Sequence, residues 1–208
     1  MEITSVIYYL AVIFILSIPL DLFFDWLHEK NKYYNGQRDI PFIMMPAKPI
    51  RLAFAWVGSF LKGFLPLYYG FQFVPAHHII FALSIGFALH LWSPFTGFKY
   101  SGFTISFLLG IYTFFFPAMI ILFPIMLSLL CLAANSVAIG MLLTIILQFF
   151  TISFTDGAAE FYILNIAIFI LVFLKWSKTI FEHFEQAPVT LYRSLLQRGS
   201  RDTLTNLN

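Results

Sequence analysis

Apolar residues run through this chain in long unbroken blocks instead of alternating with polar ones. From Tyr100 to Thr155, 56 consecutive positions carry no Asp, Glu, Lys, Arg or His. One helix of that length would extend roughly 84 Å, against a bilayer core of about 30 Å, so the block must fold back on itself. Its breaks are visible at Phe116-Pro117 and near Ala134-Asn135, and the Asp156/Glu160 loop follows it. Prolines and turn-forming residues end helices at such points. The whole pattern predicts helices at about Ile7–Trp26, Leu52–Phe73, His77–Leu91, Gly102–Phe115, Pro117–Leu132, Ser136–Phe150 and Phe161–Leu174. The expected fold is an all-α polytopic membrane helix bundle of about seven transmembrane helices. Five crossings stay open, because several of these helices are short and Pro117 could kink a helix without ending it.

Charge placement orients the bundle. Lys30, Lys32, Arg38, Lys48 and Arg51 share one polar segment, Lys99 stands between two apolar runs, and Lys175, Lys178, Arg193, Arg198 and Arg201 lie toward the C-terminus. The positive-inside rule places all three regions on the cytoplasmic face, with the N-terminus outside and the C-terminus inside. The remaining basic residue, Lys62, falls within an apolar segment. Residues 1–181 are expected to form the transmembrane bundle and 182–208 a polar cytoplasmic tail. The mixed charges of that tail read first as an interfacial face and second as a site for a protein partner.

Composition agrees with this picture: 60% of residues are hydrophobic, 11% are charged and the mean hydropathy is +0.86. In 208 residues there is room for one bundle and no separate soluble domain. The stretch Met1–Leu20 has neither a basic leader nor a small-residue cleavage site, so it reads as a first spanning helix and not as a cleaved signal. The expected location is the inner (plasma) membrane, multi-pass. Cys131, the single cysteine, reads as a small packing residue.

Candidate chemistry sits at the borders of the apolar blocks. In the stretch Leu89 to Gly102 a helix ends near His90, Pro94 forbids its continuation, and a new helix begins near Gly102, with Ser101 a candidate N-cap and Thr104 in the first turn. A helix N-terminus beside Lys99 and these hydroxyls suits a phosphate-type anion, although a plain cytoplasmic turn would read the same way. Lys62, beside Gly63 and Pro66, is a functional candidate because a lysine in a membrane is costly unless paired or wetted. It could equally snorkel or bridge to an acid such as Asp21. Asp21, Asp25 and His28 share one helical face, where a metal site is a weaker reading than a face entering the headgroup layer. His77-His78 and His183 carry little. No GxSxG, HxxxxD, Walker or CxxC motif is present, and nucleic acid is not an expected partner.

Taken in order, these features resemble the bacterial acyl-phosphate:glycerol-3-phosphate acyltransferases, the PlsY family of small seven-helix membrane enzymes. Ser17-Ile18-Pro19 is similar to the family's Gly-Ser-Ile-Pro string. The segment Phe60 to Pro66 resembles Asp-x-Leu-Lys-Gly-x-Leu-Pro, with Ser59 at the Asp position. The stretch from His90 to Lys99 resembles Gly-His-x-Phe-Pro-x-Phe-x-x-Phe-Lys and keeps His90, Phe95, Phe98 and Lys99 in register, while Leu89 replaces the Gly, Trp92 the first Phe, and Pro94 sits one place late. The loops depart further. Tyr100-Ser101-Gly102-Phe103 stands where the family has Gly-Gly-Lys-Gly, Tyr34 to Phe42 matches the first family loop clearly only at Gly36, and Asn135-Ser136 keeps the serine of an Arg-Tyr-x-Ser string without its arginine.

The resemblance implies acyl transfer from a fatty acyl phosphate to the 1-hydroxyl of glycerol 3-phosphate, giving lysophosphatidate for phospholipid synthesis. It implies no metal or other cofactor and no Ser/His nucleophile. His90, Lys99 and Ser101 would act at the donor phosphate. Gly36, Gln37, Arg38 and Lys62 would lie nearer the glycerol phosphate, and Gly102, Thr104, Asn135 and Ser136 would complete substrate binding. Such chemistry needs positioning and anion stabilisation, because an acyl phosphate is already activated. The alternative is a non-catalytic relative that binds lipid or a protein partner; a transporter built on Asp21, Asp25 and His28 is a third reading. The enzyme requires Lys99, Gly36 and Ser136 to converge, whereas the non-catalytic relative requires a pocket closed by Tyr100 and Phe103.

Overall fold

The computed structural model describes residues 3–18, 49–96, 103–153 and 159–205. Among these it contains seven α-helices and no strand: α1 Ile3–Ser17, α2 Pro49–Phe73, α3 Ala76–Leu91, α4 Thr104–Phe115, α5 Met119–Ala134, α6 Val137–Ser153 and α7 Ala159–Thr205, with a short 3-10 turn at Pro94–Thr96. Five of these, α2 to α6, match the blocks expected from the hydropathy pattern to within three residues; α1 starts four residues earlier than expected, with the expected end at Trp26 outside the described residues, and α7 continues far beyond Leu174. The fold is an all-α bundle. Pro117 does break the chain: α4 stops at Phe115 and α5 starts at Met119. Pro66 and Pro124 lie inside α2 and α5, which continue through them. Neighbouring helices satisfy or shield the carbonyls that such prolines leave unbonded. Separately, the Tyr8 hydroxyl donates to the Pro66 carbonyl at 2.7 Å, which ties α1 to α2.

Successive helices run back and forth, so their ends alternate between two faces of the bundle. The principal packing pairs are α2 with α4, α5 with α6, α1 with α3, and α7 with both α3 and α6. Leu16, Leu83, Phe87, Phe107, Leu108, Ile111, Tyr112 and Phe123 are fully buried at the centre. Small residues set the closest approaches. A Cβ placed on Gly86 of α3 would lie 2.3 Å from a Leu16 methyl carbon, and one on Gly140 of α6 would lie 2.5 Å from the Cys131 sulfur. Cys131 is thus a packing residue at the α5–α6 contact.

Apolar side chains also cover the outside. Ile7, Leu10 and Phe14 on α1, Ile121, Ile125, Leu129 and Leu132 on α5, and Ile163, Ile166, Ile170 and Leu174 on α7 are all exposed. The first 27 residues of α7, Ala159–Glu185, form a helix long and apolar enough to cross a membrane. The other apolar stretches among the described residues are helices of 10 to 17 residues. Helix α7 runs through position 182, where the tail was expected to begin, without interruption.

Candidate functional site

The C-terminal end of α1 gathers polar side chains from two other helices. Helix α1 ends at Ser17, and its last carbonyls have no partner within the helix, as at any helix C-terminus. Here the partners come from α2 and from the end of α3. The Lys62 ammonium, on α2 and buried, donates to the Ile18 carbonyl. The Ser93 hydroxyl, just past α3, donates to the Ser17 carbonyl at 2.8 Å, and both residues are buried. His90, at the end of α3, is buried beside them. The Ser17 hydroxyl turns back onto the Phe14 carbonyl at 2.7 Å. Two consecutive carbonyls at the negative end of a helix dipole therefore receive two donors, one of them cationic, which is the favourable sign of charge for that end.

His90 is buried within this group. Its ring stacks on Phe107 of α4, with centroids 4.8 Å apart and planes 22° from parallel, and less closely on Phe87 at 6.4 Å. Only 3% of the residue is exposed, and Nε2 has no hydrogen-bond partner among the described residues. A buried ring nitrogen left without a partner is uncommon and points to a ligand or a functional constraint. Lys62 is close enough to act electrostatically on this ring.

The sequence reading singled out Ser17, Lys62 and His90 from separate segments, and the structure brings them to one place. It gives Lys62 a specific role there, with the ammonium on the Ile18 carbonyl. One other expectation is corrected. Helix α4 begins at Thr104 with Phe103 as its N-cap residue, so Ser101 is not the cap, and no side chain caps this terminus. Ser136 and Asn135 serve the turn between α5 and α6. Asn135 closes α5 in the left-handed conformation (φ 49°), and the Ile139 amide donates to the Ser136 hydroxyl at 3.4 Å. Both take a local capping role there, because the last carbonyls of α5 and the first amides of α6 need partners.

Thr104 is buried at the start of α4. Gly36, Gln37, Arg38, Lys99, Ser101 and Gly102 lie outside the described residues, as do Asp21, Asp25 and His28. On the opposite face His78 Nδ1 pairs with the Tyr9 hydroxyl at 2.8 Å, a link between α1 and α3. No group of three or more metal-ligating side chains occurs among the described residues.

Several polar contacts were not foreseen. Ser93 was quoted within its stretch and given no role; its signal was its position, where the resembled motif has proline. Lys175 of α7 lies 5.6 Å from the centre of the Trp92 ring, which ties α7 to the end of α3. Deeper in the bundle the Tyr112 hydroxyl donates to Asn165 Oδ1 at 2.7 Å, and Asn165 Nδ2 donates to the Ile145 carbonyl at 3.3 Å. Asn165 was legible as the single amide within the apolar run Phe161–Leu174. Comparison with family models, with curated proteins and with solved structures finds no match for this chain.

Proposed function

We propose that this protein is a multi-pass membrane acyltransferase that moves a fatty acyl group from an acyl phosphate to glycerol 3-phosphate. The observation that carries the reading is the meeting of Ser17, Lys62 and His90 at the end of α1. Each belongs to a different motif of the acyl-phosphate-dependent acyltransferases, and nothing in their separation along the chain requires them to meet. The multi-pass arrangement is supported by the exposed apolar side chains on α1, α5 and α7, since lipid, unlike water, solvates Ile, Leu and Phe without penalty. Short helices fit a bilayer when flanking residues snorkel or the lipid thins around them. In this reading the cytoplasmic face is the one bearing His90, Trp92 and Lys175, and the inner membrane is the location.

The chain's own groups suffice for the chemistry in outline. Acyl transfer from a phosphate leaving group needs a bound donor, an aligned alcohol and stabilisation of the negative charge. Lys99, at the end of the same stretch as His90, would hold the donor phosphate, while the acyl chain lies among the apolar helix faces. The test is transfer from palmitoyl phosphate to radiolabelled glycerol 3-phosphate by the purified protein, with Lys99→Ala in parallel. Product from the wild type and its near-complete loss in the variant is the expected result. Absence of wild-type product, where an established enzyme of this kind turns over in the same assay, removes the proposal.

One observation favours a second reading, in which the bundle is a non-catalytic subunit that binds lipid or a protein. The Lys62 ammonium is engaged by the Ile18 carbonyl, a structural use of the charge. The same assay separates the two readings.

A further inference from the structure

We infer that α7 is a dimer seam: a second copy of this chain lays its own α7 parallel along an uncharged stripe from Ile163 to Leu195. This rests on the multi-pass reading above and is independent of acyl transfer. One side of α7 is used within the bundle, where Leu164, Ile168, Val172, Trp176 and Ile180 are buried as the helix packs on α3 and α6. The side turned away carries Ile163, Ile170, Leu174, Phe181 and Phe184, each between 49% and 62% exposed. The smaller Ala167 and Ser177 occupy the places between them. Along the chain these positions advance by four and three residues alternately. The alternation continues without a slip through Pro188 and Leu191 to Leu195, and no charged residue stands on it before Arg198. Such a 3.5-residue repeat keeps a stripe facing one neighbouring helix, as in a coiled coil.

Lipid cannot cover the whole stripe. Helix α7 is uninterrupted over 47 residues, roughly 70 Å, against a bilayer about 40–45 Å thick with its headgroups. Its membrane-length part ends at Glu185. The register positions of Leu191 and Leu195 therefore stand about 9 and 15 Å further along the axis, on the water side. There only another apolar surface can shield the stripe. The projecting part also needs support, because Pro188 removes a backbone hydrogen bond and Gly199 weakens a helix. A second copy meets both needs. The charge pattern inserts every copy in the same orientation, so two α7 helices run parallel and in register about a twofold axis. Each stripe position then lies opposite itself, and the partner surface has the same length, the same repeat and no charge. Charged groups stay on the flank, where Lys178 and Glu182 pair with each other at 3.8 Å.

The experiment is oxidative cross-linking of the full chain in native membranes, in a Cys131→Ala background that removes the single native thiol. Cysteines are introduced one at a time on the stripe, by Leu174→Cys, Leu191→Cys and Leu195→Cys, and off it, by Thr190→Cys and Gln197→Cys. A disulfide needs Cα atoms within about 7 Å, so the stripe positions should give linked dimers about tenfold faster than the others. Equal rates on and off the stripe, or no dimer at the stripe positions, overturns the inference. Protection of Leu191→Cys and Leu195→Cys from a water-soluble maleimide without any dimer assigns the stripe to the lipid surface and overturns it too. The substitutions at 190, 191, 195 and 197 lie beyond the bundle, so its folding is not at stake. The membrane fraction is measured in the same samples. A chain absent from that fraction removes the multi-pass reading, whereas a membrane-bound monomer removes the dimer alone.

Discussion

Gly63 of α2 and Gly110 of α4 interlock reciprocally. A Cβ on Gly63 would lie 2.1 Å from the Phe107 carbonyl oxygen, and a Cβ on Gly110 would lie 2.1 Å from the Phe60 carbonyl oxygen. Each glycine thus admits the backbone of the other helix three residues from its partner. Ser59 and Ser106, each one turn earlier, extend the small-residue faces, and the Ser106 hydroxyl donates to the Trp56 carbonyl. Close backbone approach across small residues is how helices associate where lipid offers no hydrophobic drive.

Gly63→Ala and Gly110→Ala should each destabilise the bundle by about 3 kcal/mol, because the clash is with backbone that cannot step aside. Gly86→Ala meets chiefly a Leu16 methyl, which can rotate, and should be milder at about 1 kcal/mol. Unfolding midpoints in mixed micelles give the comparison. Equal losses at all three positions would contradict the interlock.

Tyr112→Phe removes the donor to Asn165 and should lower stability by about 1 kcal/mol. Asn165→Ala should do more, since it also abandons the Ile145 carbonyl and opens a void. If the pair is coupled as described, the double variant loses less than the sum of the two. Additive losses would show that the hydroxyl and the amide act independently.

Asn135 holds the left-handed conformation that ends α5. Asn135→Gly should therefore be neutral or slightly stabilising, whereas Asn135→Val should be destabilising by about 1–2 kcal/mol. A thermal shift assay distinguishes these directions, and tolerance of valine would argue against that turn.

Lys62→Met leaves the Ile18 carbonyl without its cationic donor and is expected to be destabilising by about 2 kcal/mol, with Ser93→Ala nearer 1 kcal/mol. Both should release the same end of α1, so proteolysis at residues following Ile18 is the sensitive measurement. Unchanged protease resistance in Lys62→Met would show that the clamp does not hold that end.

Trp92 and Lys175 should behave as a coupled pair. Lys175→Met or Trp92→Leu is expected to weaken the α3–α7 contact by about 0.5–1 kcal/mol, and the second substitution should add little to the first. A thermodynamic cycle in micelles measures the coupling, and a coupling of zero would assign Lys175 to the interface alone.

Hydropathy and proline placement by themselves determined the seven helices and their turns, because helix length and the need to satisfy every backbone group are local properties that any apolar run must obey. The same holds for the break at Phe116-Pro117 and the turn at Asn135. Charge spacing along the chain likewise marked Lys62 and His90 as unusual before any packing was known. Tertiary structure alone decided what those residues touch. Lys62 and the Ile18 carbonyl are 44 positions apart, and Ser93 and Ser17 are 76 apart. No periodicity carries information over such distances, since the contact is set by how α2 and α3 cross α1, and that crossing depends on the summed fit of many side chains. The sequence could not foresee that Ser101 would lie before the start of α4 instead of capping it, that Ser136 would serve a local turn, or that Gly63 and Gly110 would find each other. It could mark the polar residues of the bundle as costly, but only the folded arrangement, by supplying or withholding partners, separates the Tyr112–Asn165 pair from His90 Nε2, which has no partner among the described residues.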